Sequence, residues 1–167
     1  IDVVFTALPN GEPKNLKIII KKKLLIDLSA DFRLKNPSDF KKWYNIKHCA
    51  KNLIKKSIYA LPEINKNKII NHSIISCPGC YPTSILIPLI PLIKNNLINN
   101  KNIIIDSKSG YSGAGRGVHK KYENKNLYES LSAYGLAVHR HNSEIQQELD
   151  FNTGKNNKFQ FTPHLSP

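Results

Sequence analysis

Residues 76–84 read Ser-Cys-Pro-Gly-Cys-Tyr-Pro-Thr-Ser, and this stretch decides the fold that the sequence predicts. An apolar run over residues 74–76 leads into it and is typical of a buried strand. Proline and glycine then mark a sharp turn, and the long apolar segment over residues 84–94 indicates a helix. A strand, a tight turn and a helix in this order form one unit of an α/β fold, with Cys80 at the start of the helix.

Cys80 at a helix start is a candidate covalent catalyst. The first turn of a helix presents unpaired backbone N–H groups and the positive end of the helix dipole, which favour the nucleophilic thiolate. Cys77, at Cys-x-x-Cys spacing, leaves two other interpretations open, a redox pair and half of a zinc site. His139 and His141 could complete a zinc site, but only Arg140 separates them, whereas structural sites usually place about three to five residues there. We therefore expect no bound metal.

Two further apolar runs, upstream of the cysteine turn, predict strands. Residues 2–8 end at a Pro-Asn-Gly turn signal, and residues 24–29 end with the polar side chains of Asp27 and Ser29. In open α/β sheets, ligand-binding loops lie at the carboxyl ends of the strands. The loops after these two strands and the loop that holds Cys80 are therefore expected to share one site.

Downstream of Cys80 the signals are more mixed. Pro88 and Pro91 fall inside the apolar segment and predict a helix that is kinked or ends early. Residues 103–107 predict a strand that enters a glycine-rich loop, residues 109–117, in which Arg116 could grip a phosphate or a carboxylate. Because this loop matches neither a P-loop nor a dinucleotide fingerprint, an anion site and a flexible surface loop both stay open.

A second group of candidate catalytic residues surrounds a predicted helix start. Asn142 or Ser143 could cap a helix over residues 144–149, which places His141 just outside the first turn. There His141 could face a cleft, and Glu144 could orient its imidazole ring. Histidines are more often structural than catalytic, but a nucleophile elsewhere in the chain favours the catalytic interpretation.

Composition argues against several classes of protein. The net charge of +13, from 25 basic and 12 acidic residues, would suit a nucleic-acid-binding module. The excess is mostly lysine without interleaved aromatic residues, and A/T-rich codons explain the abundance of Ile, Lys and Asn without a nucleic-acid partner. No apolar run reaches the roughly 18 residues of a membrane span, and few cysteines suit a reducing compartment, so we expect a cytoplasmic protein.

The ends of the chain indicate a fragment. The sequence begins at Ile1 and contains no methionine. Its 167 residues are enough for one core or for parts of two domains. We expect a piece of a longer protein that is unstable alone.

A series of motifs follows one order along the chain. The motifs are residues 5–11, 27–34, 59–63, 76–84, 106–116, 133–149 and 161–165. Together they resemble the N-acetyl-gamma-glutamyl-phosphate reductase family, NADP-dependent enzymes of arginine biosynthesis. The resemblance covers essentially the whole chain, and several motifs in series are far more specific than any one.

The resemblance implies an α/β fold in two parts. Residues 1–79 would be the latter part of an NADP-binding, Rossmann-like domain. Residues 80–167 would begin an incomplete mixed α/β substrate and dimerisation domain, like that of semialdehyde and glyceraldehyde-phosphate dehydrogenases. The family's glycine-rich phosphate loop would lie upstream of Ile1, so weak NADP binding is expected. Family members form homo-oligomers, which implies a dimer or a tetramer.

The resemblance also implies a reaction. Cys80 would attack the acyl phosphate of N-acetyl-glutamyl 5-phosphate, release phosphate and hold a thioester, which hydride from NADPH would reduce to the semialdehyde. His141 would be the acid/base, oriented by Glu144, with His139 as the alternative. A related reductase of aspartyl or aminoadipyl phosphate, a basic nucleic-acid-binding module and an inactive remnant remain alternative functions.

Binding residues are carried over from the same motifs. The substrate would contact Ser109, Gly113, Arg116, His139 and Arg140. The cofactor would contact Leu8, Pro9, Ser29, Pro78, Gly79, Ser112 and Gly113. Two positions depart from the family pattern, because Cys77 stands where the family usually has Asn and Asn10 where it has His. Polar contacts to the substrate or the thiol are expected to differ there.

Overall fold

Four parallel strands form the sheet that leads into the cysteine turn in the computed structural model, which describes residues 2–12, 23–114 and 130–166. They are β1 (Val3–Thr6), β2 (Leu24–Asp27), β3 (Ser57–Tyr59) and β4 (Ile74–Ser76), in the spatial order β1-β2-β4-β3. The central strand β4 is buried along its whole length, as expected for a parallel strand covered on both faces. Since all pairs are parallel, the carboxyl ends of the strands meet at one edge.

Among the described residues between these strands there are three short helices, α1 (Pro37–Tyr44), α2 (Lys51–Ile54) and α3 (Pro62–Ile69). The side chain of Asn36 caps α1 by accepting a hydrogen bond from the N–H of Ser38, and Pro37 suits the first helical position. A buried apolar cluster joins the sheet to the connecting segments. Its members are Leu25, Phe32, Ala50, Leu53 and Ile74.

The second half of the chain contributes two longer helices and a three-stranded sheet. The elements are α4 (Cys80–Lys94), β5 (Ile103–Gly110), β6 (Ser132–Ala133), α5 (His141–Thr153) and β7 (Phe159–Ser166). β7 is the middle strand, parallel to β5 and antiparallel to β6. In the described segments no helix has both the length and the apolar character that a membrane crossing needs.

The main core lies where α4 packs against α5. Leu86 and Ile93 of α4 and Ile145 and Leu149 of α5 are completely buried there. Tyr59 of β3 belongs to the same cluster, so the core is continuous from the first sheet into the second half of the chain.

Of the two outcomes predicted for Pro88 and Pro91, a kink or an early end, the early end is wrong, because α4 runs through both prolines to Lys94. Both prolines lie on the exposed side of the helix. The backbone carbonyls that lose a partner can therefore turn to water, while the buried residues of the opposite side keep the helix on the core.

The sequence predicts a glycine-rich loop that begins at residue 109, and the structure differs from this prediction. Strand β5 continues to Gly110, and residues Tyr111–Ala114 form a single 3-10 turn. The extension is stabilised by the partner strand, because β5 and β7 pair in register over their full length. Arg116 lies outside the described residues.

Candidate active site

A cleft of about 670 Å³ opens beside the cysteine turn. Its walls come from both halves of the chain, with Arg33 and Trp43 on one side and the segment that precedes α5 on the other. The sequence-predicted site residues that line it are Pro78, Gly79, Cys80, Ser109, Gly113, His139, Arg140 and His141. Leu8, Pro9, Ser29 and Ser112 do not line it, although Leu8, Pro9 and Ser29 follow strands at the same sheet edge.

Cys80 is the first residue of α4, and its side chain is exposed. The predicted helix start is therefore confirmed. Gly79 is the N-cap in extended conformation, and its carbonyl accepts hydrogen bonds from the N–H and the hydroxyl of Thr83, at 3.0 and 2.9 Å. These bonds close the first turn, where Pro82 has no N–H to donate and the N–H groups of Cys80 and Tyr81 have no partner within the helix.

His141 is the first residue of α5, and its ring lies against the backbone of Gly79. A Cβ atom at position 79 would come within 2.5 Å of the His141 Nε2 atom, so only glycine allows this approach. The histidine ring is therefore adjacent to the residue that immediately precedes the thiol. His139 packs beside it, with ring centroids 4.8 Å apart, and the His139 Nδ1 atom accepts a hydrogen bond from the His141 N–H.

The prediction that His141 lies outside the helix is wrong, because α5 begins at His141 itself, two or three residues earlier than predicted. The hydroxyl of Ser143 donates to the carbonyl of Arg140 at 2.7 Å instead of capping the helix as an N-cap side chain. This local bond draws residues 141–143 into the first turn.

Burial keeps both histidines neutral. Desolvation, followed by the charges of His139, Arg33 and Arg140, lowers the pKa of His141 to about 3. Burial and the neighbouring Arg140 lower the pKa of His139 to about 4. At neutral pH each ring therefore carries one proton, and His141 is in the form that can accept a second.

We expect the free energy of unfolding to fall as the pH drops from 7.5 to 5. The pKa of His141 in the folded protein lies below its ordinary value of 6.5. The contribution of the neutral ring to the free energy of unfolding is therefore complete above pH 6.5, and it is lost as the pH falls towards the folded pKa of about 3. At pH 5 the His141 ring is protonated in the unfolded chain, which lowers the free energy of unfolding by about 2 kcal/mol relative to neutral pH. Urea unfolding of the full-length protein at both pH values measures this difference, and His141→Asn should reduce it by about the same amount. An unchanged pH dependence in that variant would contradict the buried, neutral state.

Glu144 is completely buried and is surrounded by donors. Its carboxylate accepts hydrogen bonds from the Tyr59 hydroxyl at 3.0 Å, from the Tyr44 hydroxyl at 3.2 Å and from the Gly79 N–H at 3.2 Å. The Arg33 guanidinium donates to it at 3.3 Å. Arg33, Tyr44 and Tyr59 were not singled out from the sequence. Arg33 lies in the motif at residues 27–34 and Tyr59 in the motif at residues 59–63, so these motifs are the sequence signal that could have indicated both residues.

His141 donates no hydrogen bond to Glu144, the residue that the sequence predicts to orient its ring. The nearest atoms, Glu144 Oε1 and His141 Nε2, are 3.8 Å apart, beyond hydrogen-bonding distance. His141 Nδ1 is buried and has no hydrogen-bond partner among the described residues. Glu144 therefore lies near the histidine without directing either ring nitrogen.

The sheet edge beside the cleft is organised by Asp27. Its buried carboxylate accepts hydrogen bonds from the Thr6 hydroxyl and the Ser29 hydroxyl, both at 2.7 Å, and its carbonyl accepts from the Cys77 N–H at 2.8 Å. The loops after β1, β2 and β4 are thus joined by hydrogen bonds, as the shared-site prediction requires. Leu8 is exposed on the same edge.

Cys77 differs from Cys80 in environment. It is half-buried, and this burial raises the pKa of its thiol. The two cysteines form no disulfide in the structure. Across the described ranges, no three His, Cys, Asp or Glu side chains group together in a way that could hold a metal ion.

Two family models match the chain. The model described as "Semialdehyde dehydrogenase, NAD binding domain" matches residues 1–72, and "Semialdehyde dehydrogenase, dimerisation domain" matches residues 80–167. The chain belongs to the semialdehyde dehydrogenase family, and the predicted α/β fold class is confirmed.

Within that family, the curated relatives share one name. The chain is 45% identical to the N-acetyl-gamma-glutamyl-phosphate reductase of Desulforamulus reducens and 46% identical to that of Pelotomaculum thermopropionicum, each over 99% of its length. It is also 46% identical to that of Ehrlichia canis, over 100% of its length. The chain spans about half the length of these relatives, 49%, 48% and 49% respectively.

Proposed function

We propose that this chain is the catalytic portion of an N-acetyl-gamma-glutamyl-phosphate reductase, which reduces N-acetyl-glutamyl 5-phosphate to N-acetyl-glutamate 5-semialdehyde and phosphate with NADPH. The observation that carries the proposal is the exposed Cys80 thiol at the start of α4, in one cleft with the buried His141. The shared name of the similar relatives supports the substrate.

The first step forms a bond between the Cys80 sulfur and the acyl carbon and breaks the bond from that carbon to the phosphate oxygen. His141 is unprotonated in the free protein, because its pKa lies at about 3, and it is the group proposed to accept the thiol proton as the sulfur attacks. The N–H groups of Cys80 and Tyr81 at the start of α4 stabilise the negative charge that develops on the acyl oxygen. His141 later returns its proton to the hemiacetal oxygen.

A nicotinamide cofactor fits the sheet edge beside the cleft. Exposed Leu8 and Pro9 present an apolar surface, and Ser29 presents a hydroxyl, at the carboxyl ends of parallel strands where nucleotides bind. Pro78, Gly79, Ser112 and Gly113 complete the proposed contacts. When bound, NADPH supplies the hydride that reduces the thioester. The chain's own part is to hold the acyl group as a thioester at Cys80.

The substrate's charged groups are assigned to the opposite wall. Arg140 is exposed at the cleft, with its guanidinium 5.6 Å from the Tyr44 ring, and suits a carboxylate. Ser109 and Gly113 meet closely, because a Cβ atom at Gly113 would collide with the Ser109 hydroxyl. Their segment, together with Arg116 and His139, is proposed to bind the phosphate and the N-acetyl-glutamyl group.

The whole protein is proposed to be a cytoplasmic homo-oligomer, a dimer or a tetramer. The description of the model that matches residues 80–167 supports oligomer formation. Residues 1–79 are proposed as the nucleotide-binding part and residues 80–167 as the catalytic part, divided where β4 ends and α4 begins.

The test is an assay of the full-length gene product in the reverse direction. With N-acetyl-glutamate semialdehyde and phosphate, we expect reduction of NADP that exceeds reduction of NAD. Aspartate semialdehyde and an aminoadipate semialdehyde derivative should react about 10- to 200-fold less efficiently in kcat/KM, the usual value of one methylene group. A higher kcat/KM for either of them, or no turnover of any, would overturn the proposal.

A further inference from the structure

Arg33 holds three parts of the chain at once. Its Nε atom donates to the carbonyl of Cys77 at 2.8 Å, and its Nη2 atom donates to the carbonyl of Leu28 at 2.9 Å. Its Nη1 atom donates to Glu144 at 3.3 Å. The side chain is only 11% exposed. Its three nitrogens therefore each have a protein partner, two of them backbone carbonyls near the sheet edge.

Glu144 holds the next segment of the same turn. Its Oε2 atom accepts from the N–H of Gly79 at 3.2 Å and from the Tyr59 hydroxyl at 3.0 Å. Glu144 is buried in contact with Arg33, and the half-buried Tyr44 donates its hydroxyl to the same carboxylate, which therefore lies among donors. Burial and the Glu144 charge raise the pKa of both tyrosines, which keeps them protonated as donors.

The backbone ahead of the thiol is therefore fixed at three points. The Cys77 N–H is held by the Asp27 carbonyl, the Cys77 carbonyl by Arg33 and the Gly79 N–H by Glu144. None of these groups is hydrogen-bonded to the Cys80 sulfur in the structure.

We propose that the Arg33–Glu144 ion pair is a clamp on the Cys77–Gly79 backbone that positions the Cys80 thiol, and that neither residue transfers a proton. The part of the test that measures kcat and KM rests on the proposed function. The part that measures the alkylation rate of Cys80 depends on the thiol alone.

The clamp explains two features of the site. A buried carboxylate 3.8 Å from His141 would be expected to bind that ring, yet its oxygens are occupied by Arg33, Tyr44, Tyr59 and Gly79. The Arg33 guanidinium lines the cleft and could bind a substrate carboxylate, yet two of its nitrogens donate to backbone carbonyls instead. Both side chains thus act on the turn between β4 and α4.

The experiment uses Arg33→Lys and Glu144→Gln in the full-length protein, with Glu148→Gln as the matched control. Glu148 is a buried carboxylate one turn further along α5, paired with Lys35 at 3.8 Å and remote from the cysteine turn in its hydrogen bonds. Two quantities are measured below the melting temperature of each variant. They are kcat and KM with the acyl-phosphate substrate, and the rate at which iodoacetamide alkylates Cys80 at pH 7, followed on the peptide that contains it.

We expect kcat to fall about 10²-fold in both clamp variants, the size of effect that misplacement of a reacting group by about 1 Å produces, with KM changed less than about threefold. Alkylation of Cys80 should slow about tenfold, since the thiol moves from its exposed position beside the unpaired N–H groups of the first turn of α4. Lysine at position 33 should not preserve kcat or the alkylation rate, because one ammonium group cannot bond two carbonyls and a carboxylate in the geometry of the guanidinium. Glu148→Gln should melt earlier but keep both rates.

Three results would overturn the clamp. A raised KM with normal alkylation in Arg33→Lys would show a substrate-binding arginine. Normal alkylation in Glu144→Gln with a shifted acidic limb of the pH–rate profile would show a proton-transfer partner of His141. Equal slowing in Glu148→Gln would show a general loss of structure. If the wild-type protein has no reductase activity but the clamp variants still slow alkylation, the proposed function fails and the clamp stands.

Discussion

Replacement of Cys80 with alanine is expected to lower kcat of the full-length protein in the proposed reaction by about 10⁴-fold or more, because neither Cys49 nor Cys77 lines the cleft to take its place as the acyl carrier. The thiol is exposed at a helix start and lies in the cleft with His141. Stability should change little, since an exposed side chain is removed. The measurement is steady-state turnover, together with mass spectrometry of protein incubated with the acyl phosphate in the absence of cofactor. The wild-type protein should gain one acyl group on the peptide that contains Cys80.

Cys77→Ala and Cys49→Ala provide the controls. Cys77 is half-buried with a raised thiol pKa, and the Cys49 thiol donates to the Gly11 carbonyl at 3.4 Å. Each variant should keep activity within a few-fold of the wild type. Comparable turnover in Cys80→Ala, or acylation that persists without Cys80, would show that the covalent route is wrong.

Gly79→Ala is expected to lower kcat about 10²-fold by displacing the His141 ring, although it removes no catalytic group. The backbone at Gly79 has φ −68° and ψ 160°, which any residue adopts, so the cost is purely steric. The new Cβ atom would lie 2.5 Å from Nε2 and 2.8 Å from Cε1 of His141. The ring must move away, and it is already packed against His139 and Tyr81. We expect a loss of about 1–3 kcal/mol in the free energy of unfolding.

Gly154→Ala is the matched control for this prediction. Gly154 ends α5 at the far side from His141, with φ +67° and no atom within 4 Å of the position that an alanine methyl group would take. Alanine there should cost about 1 kcal/mol through the left-handed backbone alone. Turnover should remain at the wild-type level. If Gly79→Ala behaves like Gly154→Ala in both measurements, the close approach of His141 to the turn has no catalytic importance.

Local chemistry made much of this site predictable from sequence. Pro78 and Gly79 after an apolar run indicate a turn, and the helix that follows begins at Cys80 as predicted. The strand at residues 74–76 is buried along its whole length, and the strand at residues 24–27 alternates half-buried and buried residues, so their apolar runs made both positions predictable.

Other elements depend on partners that local sequence does not reveal. β7 was not predicted, because Pro163 interrupts the pattern of a strand and only pairing with β5 and β6 stabilises it. The partners of Glu144 were equally hidden. Tyr44, Tyr59 and Gly79 lie 100, 85 and 65 residues away in sequence, so nearness along the chain favoured His141 instead.

The bond between Gly79 and Glu144 has a consequence for biosynthesis. Because Glu144 follows Gly79 by 65 residues, a ribosome that adds about 5–20 residues per second needs roughly 3–13 s to supply the carboxylate after the turn has been made. During that interval the nascent chain carries Cys80 without the histidine or the carboxylate beside it. If the Arg33–Glu144 clamp acts as proposed, the Cys80 thiol reaches its full nucleophilic reactivity only in molecules whose α5 has docked.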